Sequence, residues 1–209
     1  MVHIVGAGSG APDLITLRGA ELLRKAQVVI YAGSLVNPAL LGLCGPDCRL
    51  YNSAHMTLEE VLEIIRQATE QKQDVVRLHT GDPCLFGAIR EQTDALDAMG
   101  IEWDVTPGVS SFCGAAAALG AEYTLPGVSQ SLIITRLAGR TPVPEREQLA
   151  AMASHGASMA VFLSSGMLPE VARQLLAGGA YTADTPAALV YKATWPEERI
   201  CRCTIGTLA

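Results

Sequence analysis

Short apolar runs, each closed by glycine, proline or an acidic corner, alternate along this chain with segments of helical period. Val2–Val5, Val28–Tyr31, Arg49–Asn52, Val75–Leu78 and Ile101–Val105 read as strands. A helix is expected from Thr16 to about Lys25, with Leu17, Leu22 and Leu23 on one side. A second opens at the capping box Thr57-Leu58-Glu59-Glu60 and runs to about Gln71, with Leu58, Val61, Leu62 and Ile65 inward. A third is expected from Gly87 to about Met99, and a fourth, rich in small residues, from Phe112 to Gly120. Tyr123–Val128 reads as a linker, after which the pattern restarts. Strands at Ser131–Thr135, Ser158–Leu163, Ala187–Tyr191 and Cys201–Ile205 then accompany helices at Glu145–Ser154 and Leu168–Leu176. The alternation predicts an α/β chain in two domains, 1–124 and 129–209, joined by a hinge near residues 125–129.

Two strand ends share a pattern. The run from Asp74 stops at Gly81-Asp82-Pro83 and passes through Cys84-Leu85-Phe86 into a helix; the run from Ile101 stops at Thr106-Pro107-Gly108-Val109-Ser110-Ser111. Pro83 lacks an N–H and pushes Asp82 towards extended geometry, which aims a carboxylate beyond the strand end. Open α/β sheets bind ligands at such ends. These residues alone fit an ordinary strand-to-helix turn as well as a ligand loop. The first loop, Gly6-Ala7-Gly8-Ser9-Gly10-Ala11-Pro12-Asp13, invites a nucleotide reading that fails on inspection. Its glycines are spaced GxGxG rather than GxGxxG, and Tyr31-Ala32-Gly33 offers no acid for a ribose. No Lys-Ser/Thr pair follows the glycines, which excludes a P-loop.

Composition narrows the picture further. With 209 residues, 49% of them apolar and 17% charged, the chain is long enough for a sizeable core and has a globular, soluble composition. A net charge of −6 argues against a general nucleic-acid or membrane-surface binder, although a few arginines can still gather around an anionic substrate. Met1-Val2-His3-Ile4-Val5-Gly6 has neither a basic n-region nor a long apolar run, and the apolar stretch from Cys113 to Ala121 is far short of a membrane span. A cytoplasmic protein with reduced thiols is expected. Cys44, Cys48, Cys84, Cys113, Cys201 and Cys203 have no zinc-site spacing, so no metal is expected. His3, His55, His79 and His155 are not grouped for catalysis, and His79 is expected to pack rather than to face a ligand.

Taken together, Val5 to Thr16, Thr80-Gly81-Asp82-Pro83 and Thr106 to Ser111 resemble the signatures of the tetrapyrrole methylases, with similarity along essentially the whole chain. Four further stretches point within that family to the C-11 methyltransferases of precorrin-4 or cobalt-precorrin-4. These are Tyr31-Ala32-Gly33-Ser34-Leu35-Val36, Gly81 to Gln92, Thr135-Arg136 and Val190 to Glu198. The uroporphyrinogen branch differs where Thr80 and Ala88-Ile89 stand here. The resemblance implies two α/β domains with mixed sheets flanked by helices and an inter-domain cleft. It also implies S-adenosylmethionine as methyl donor, S-adenosylhomocysteine as product, and a homodimer. By the same resemblance, cofactor contacts fall to Pro12, Thr80, Gly81, Asp82, Leu85, Ser110, Ser111, Leu163, Ser164 and Ala193. For Asp82 two roles stay open, accepting from the cofactor's amino group or bracing its own loop.

Methyl transfer from a sulfonium needs an in-line approach more than acid–base help, because the leaving group departs neutral. A sequence without a nucleophile–base pair suits it, and no catalytic side chain is assigned. The implied substrate is an anionic tetrapyrrole. Arg77, Arg90, Arg136, Arg140 and Lys192 lie at or near predicted strand ends, and of these Arg136 and Arg90 sit inside matched signatures as the substrate-binding candidates. Alternatives are a sister methylase acting on another ring carbon and a non-catalytic tetrapyrrole-binding homologue. The family continues past Thr204-Ile205-Gly206-Thr207-Leu208 whereas this sequence ends at Ala209, which implies either a second domain lacking its last elements or a truncated sequence.

Overall fold

The computed structural model describes residues 1–139 and 141–208. The chain divides into two compact units, Met1–Gly114 with Lys192–Pro196, and Ala115–Tyr191 with Glu197–Ala209.

The first unit is built on a sheet of five strands, β1 (Val2–Gly6), β2 (Val28–Tyr31), β3 (Arg49–Asn52), β4 (Val75–His79) and β5 (Trp103–Thr106). They lie in the order β3-β2-β4-β1-β5, and every pairing is parallel. Parallel strands need crossovers, and α1 (Leu17–Lys25), α2 (Leu58–Glu70) and α3 (Arg90–Ala98) supply helices for three of them. Val5, Val29, Val76 and Leu78 meet Leu23 of α1 and Leu40 on one face; Val2, Val28, Ile30 and Val75 meet Val61 and Ile65 of α2 and Leu96 of α3 on the other. Two covered faces explain why β1, β2 and β4 read as mostly apolar runs. The capping box at Thr57 forms as expected, with Thr57 Oγ1 accepting from the Glu60 N–H and Glu60 returning the bond.

Local differences from expectation have visible causes. The third helix starts at Arg90 rather than Gly87, because Phe86 and Ala88 take left-handed φ of 56° and 50°. A Cβ on Gly87 would stand 2.1 Å from the Pro83 carbonyl oxygen, so the Cys84–Ile89 stretch folds back as turns over Pro83. The fourth helix, α4, spans Ser111–Leu119.

The second unit contains β6 (Leu132–Arg136) parallel to β7 (Ser158–Phe162), and β8 (Pro186–Tyr191) antiparallel to β9 (Arg199–Thr204). Among the described strands, antiparallel ladders are therefore confined to this unit. Leu149 and Ala153 of α5 (Leu149–Ala153), Val171 and Leu175 of α6 (Leu168–Ala177), Leu137 and Ile205 form its core. The helix expected over Glu145–Ser154 splits at Gln148, whose extended backbone separates a single turn at Glu145–Glu147 from α5. The segment expected to link two domains lies inside this unit. Leu125 and Ser129 bridge each other, and Ser158 Oγ donates to the Tyr123 carbonyl at 2.6 Å.

Candidate functional site

β1 and β4 are neighbours, yet the chain leaves β1 towards β2 and leaves β4 towards β5, on the opposite side. Strand order therefore reverses between them, and such a switch point is where open α/β sheets hold ligands beyond the carboxyl ends of their strands. Three loops meet there: residues 6–13 after β1, 80–89 after β4 and 107–110 after β5. The first two are stitched by paired backbone hydrogen bonds between Gly8 and Gly81 (3.0 and 3.2 Å). A Cβ on Gly6 would lie 2.6 Å from Gly108 and from the Gly81 oxygen, and one on Gly108 would lie 2.1 Å from that oxygen. Only residues without side chains allow the three backbones this close.

Asp82 carries the same corner. Its Oδ1 accepts from its own loop at the Cys84 N–H (2.8 Å), and its Oδ2 accepts from the Gly108 N–H of the β5 loop (3.0 Å). Both oxygens thus hold backbone, which is the bracing geometry, one of the two roles left open by sequence. Thr80 is half-buried, Gly81, Pro83 and Ser110 are buried, Leu85 is half-buried, and Pro12 and Ser111 are exposed. Ala193 is buried in the same unit, 3.4 Å from where a Cβ on Gly114 would stand. Eight of the ten expected cofactor residues therefore fall in the first unit. Leu163 and Ser164 follow β7 in the second, where Leu163 is 72% exposed with a φ of 53°. The Ser164 hydroxyl donates to the Phe162 carbonyl (2.7 Å) and accepts from the Leu137 N–H (3.1 Å), joining the ends of β6 and β7.

The cations separate by environment. Arg77, expected near a strand end, instead lies within β4 and is buried. It donates from Nε to Gln92 Oε1 at 3.0 Å and from Nη1 to the Ile30 carbonyl at 3.1 Å. Its side chain follows the alternation of β4 inward, and burial lowers its pKa to about 10, which still leaves it charged at neutral pH. His79, two residues on, is likewise buried, as expected. Desolvation, reinforced by the Arg77 charge, lowers its pKa to about 3, so the ring is neutral. Its Nε2 has no hydrogen-bond partner among the described residues. Arg90 is exposed at the start of α3 and pairs with Asp94. Arg136 ends β6 and donates to the carbonyls of Leu137, Thr141 and Pro142 and to the Thr141 hydroxyl. None of these partners neutralises it. Arg140 lies outside the described residues. Lys192 sits 5.1 Å over the Trp195 ring.

Several residues at this site were not expected from sequence. Ser9 Oγ lies 3.1 Å from Thr194 Oγ1, which also accepts from the Ala11 N–H at 3.0 Å. Trp195 covers Gly10, where a Cβ would come within 2.2 Å of its ring. The signal was the third glycine of GxGxG: each glycine admits protein rather than a phosphate. Among the described residues no group of three or more His, Cys, Asp or Glu is placed to hold a metal ion, and no helix is long and apolar enough to cross a membrane.

A parallel sheet with glycine-locked loops at its switch point, and no acid at the end of β2 for a ribose, defines an α/β ligand-binding protein outside the dinucleotide class. The chain belongs to the tetrapyrrole (corrin/porphyrin) methylases, which it matches over residues 1–209. It is 50% identical over 208 residues to the cobalt-precorrin-4 C(11)-methyltransferase of Methanocaldococcus jannaschii, covering 100% of this chain and 80% of that protein. The X-ray structure of a cobalt precorrin-4 methyltransferase from cobalamin biosynthesis superposes with a TM-score of 0.95 at 45% identity, covering 99% of this chain and 86% of that one. A uroporphyrin-III C-methyltransferase from Thermus thermophilus, complexed with S-adenyl homocysteine, gives a TM-score of 0.83 at 29% identity, with 100% and 85% covered. The family and fold expected from the strand-end signatures are those found.

Proposed function

We propose that this chain is an S-adenosylmethionine-dependent methyltransferase that methylates C-11 of precorrin-4 or cobalt-precorrin-4 in cobalamin biosynthesis. The observation that carries the reading is 50% identity along the whole chain to a protein of that name. The residues suit the donor: the strand-end corner is lined by small residues, Gly81, Ser110 and Ala193, whose backbone a bulky ligand can approach. Asp82 and the Gly8–Gly81 pairing brace the corner from within. In this reading Pro12, Thr80, Gly81, Asp82, Leu85, Ser110, Ser111, Leu163, Ser164 and Ala193 form the donor site, largely through main chain, with Asp82 shaping its loop.

S-adenosylmethionine supplies a methyl group on a sulfonium whose departure leaves a neutral thioether, so the protein need not hold a base to receive the leaving group. Its contribution is to orient and to exclude water. Arg136 is our first substrate contact, since its carbonyl partners leave its full positive charge to meet a carboxylate. Arg90 is the second, although Asp94 offsets part of its charge. A cytoplasmic homodimer belongs to the same reading, from the resemblance; sedimentation velocity tests the dimer. The activity is tested by incubating the protein with trideuteromethyl S-adenosylmethionine and each of the two tetrapyrroles. One added label at C-11, by mass and carbon NMR, is expected. A label on another ring carbon would make it a sister methylase, and no label a binding protein.

A further inference from the structure

Lys192–Pro196 belongs to the first unit, although β8 and β9 on either side of it belong to the second. This strap is turned by a Trp195 N–H to Lys192 carbonyl bond of 3.0 Å and contains two left-handed residues, Lys192 at φ 49° and Thr194 at φ 68°. A β-branched residue is poorly suited to that region, where glycine or asparagine sits more easily. Persistent strain of this kind points to a task for the side chain. The Thr194 hydroxyl meets the loop after β1, accepting from the Ala11 N–H and lying against the Ser9 hydroxyl. Trp195 covers Gly10 between them. Three consecutive residues of that loop, Ser9 to Ala11, are therefore held by two consecutive residues of the strap, immediately before the Pro12–Leu14 turn.

We propose that Thr194 is a positioning residue of the methyl-donor site. Its hydroxyl fixes the backbone of residues 9–11, and so places the Pro12 turn beside the Gly8–Gly81 pair. This rests on the reading of the preceding section, in which the loop and Pro12 contact S-adenosylmethionine.

The test compares the wild-type protein with Thr194→Ser, Thr194→Val and Thr194→Gly. Calorimetric titration with S-adenosylmethionine should show Thr194→Val binding about tenfold more weakly, as loss of one polar contact would give, and Thr194→Ser within about twofold of wild type. The rate at saturating donor should change much less than KM for the donor. Thr194→Gly removes the strain as well as the hydroxyl. It should keep the wild-type melting temperature while losing affinity like Thr194→Val, a split that a merely structural hydroxyl would not produce. Amide exchange at Ala11 gives an independent readout should the valine variant not fold: protection lost in Thr194→Gly and kept in Thr194→Ser is expected. Wild-type affinity in Thr194→Val or Thr194→Gly, a serine variant as weak as the valine one, or Ala11 protection unchanged by glycine would overturn the proposal. A wild-type protein that does not bind S-adenosylmethionine would instead overturn the reading beneath it.

Discussion

Replacing Asp82 separates two ways in which a carboxylate at a strand end contributes to a site. The side chain holds two backbone N–H groups, Cys84 at 2.8 Å within its own loop and Gly108 at 3.0 Å in the neighbouring one. Hydrogen bonds to a charged group contribute roughly 1.5–3 kcal/mol each when shielded. The Cys84 bond is solvent-exposed and local, worth nearer ~1 kcal/mol, whereas the part-buried Gly108 bond takes the fuller value. Asp82→Ala should therefore lose about 3 kcal/mol, which for a chain of this size lowers Tm by roughly 6–12 °C. Asp82→Asn keeps one acceptor oxygen for the two N–H groups, and its amide must face the other, so about half that loss is expected. Thermal and guanidinium unfolding of the three proteins measure the loss, and calorimetric titration with S-adenosylmethionine runs in parallel. A bracing carboxylate predicts that affinity falls in the order of stability, alanine below asparagine. A carboxylate acting on the donor's amine predicts equal loss of affinity in both variants with little change in Tm. An Asp82→Ala protein melting within 1 °C of wild type would refute the bracing argument.

Further predictions follow from the same geometry. Gly108→Ala places a methyl 2.1 Å from the Gly81 oxygen and should destabilise by at least ~3 kcal/mol, whereas Gly42→Ala, with open space around it, should be neutral or stabilise by up to ~1 kcal/mol in the same unfolding assay. His79 has a folded pKa of about 3 against about 6.5 unfolded, so its neutral, buried ring contributes stability that is fully present above pH 6.5 and lost as pH falls towards 3. Urea unfolding at pH 6.5 and 4.5 should show wild type losing up to about 2.5 kcal/mol more than His79→Leu; equal pH slopes would count against this. Arg136→Ala should weaken binding of the anionic tetrapyrrole about tenfold or more while leaving S-adenosylmethionine affinity intact, and unchanged tetrapyrrole affinity in a fluorescence titration would remove Arg136 from the site.

What could be read in advance divides by the range of the interaction. β1, β2 and β4 are mostly apolar on both faces because helices cover both, and that pattern survives in one dimension. The Thr57 capping box is local in the same sense, with every partner within three residues. Arg77 was misplaced because an arginine near a strand end normally reaches solvent. Only the fold shows Gln92 and the Ile30 carbonyl waiting for it, 15 and 47 residues away. The helix expected at Gly87 failed for another reason: a single glycine only weakens a helical pattern, and the turn is imposed by packing against Pro83.

The first glycine-rich loop joins these cases. Its spacing was enough to dismiss a dinucleotide, yet could not say what its glycines are for, because two of the three answers lie far along the chain. Gly6 makes room for Gly108 and Gly10 accepts Trp195, while Gly8, at a φ of 84°, clears the Leu14 carbonyl and pairs with Gly81. A phosphate loop keeps its glycines open so that a ligand can approach N–H groups. Here the closest approaches are made by other parts of the protein, so the loop is braced by the fold itself. That arrangement fits a reaction in which the protein orients two reactants and supplies no proton, since orientation is only as good as the rigidity of the groups that provide it. Asp82, the Gly8–Gly81 pair and Thr194 are the parts of this sequence spent on that rigidity, and the Asp82 and Thr194 variants measure it from opposite sides of the same loop.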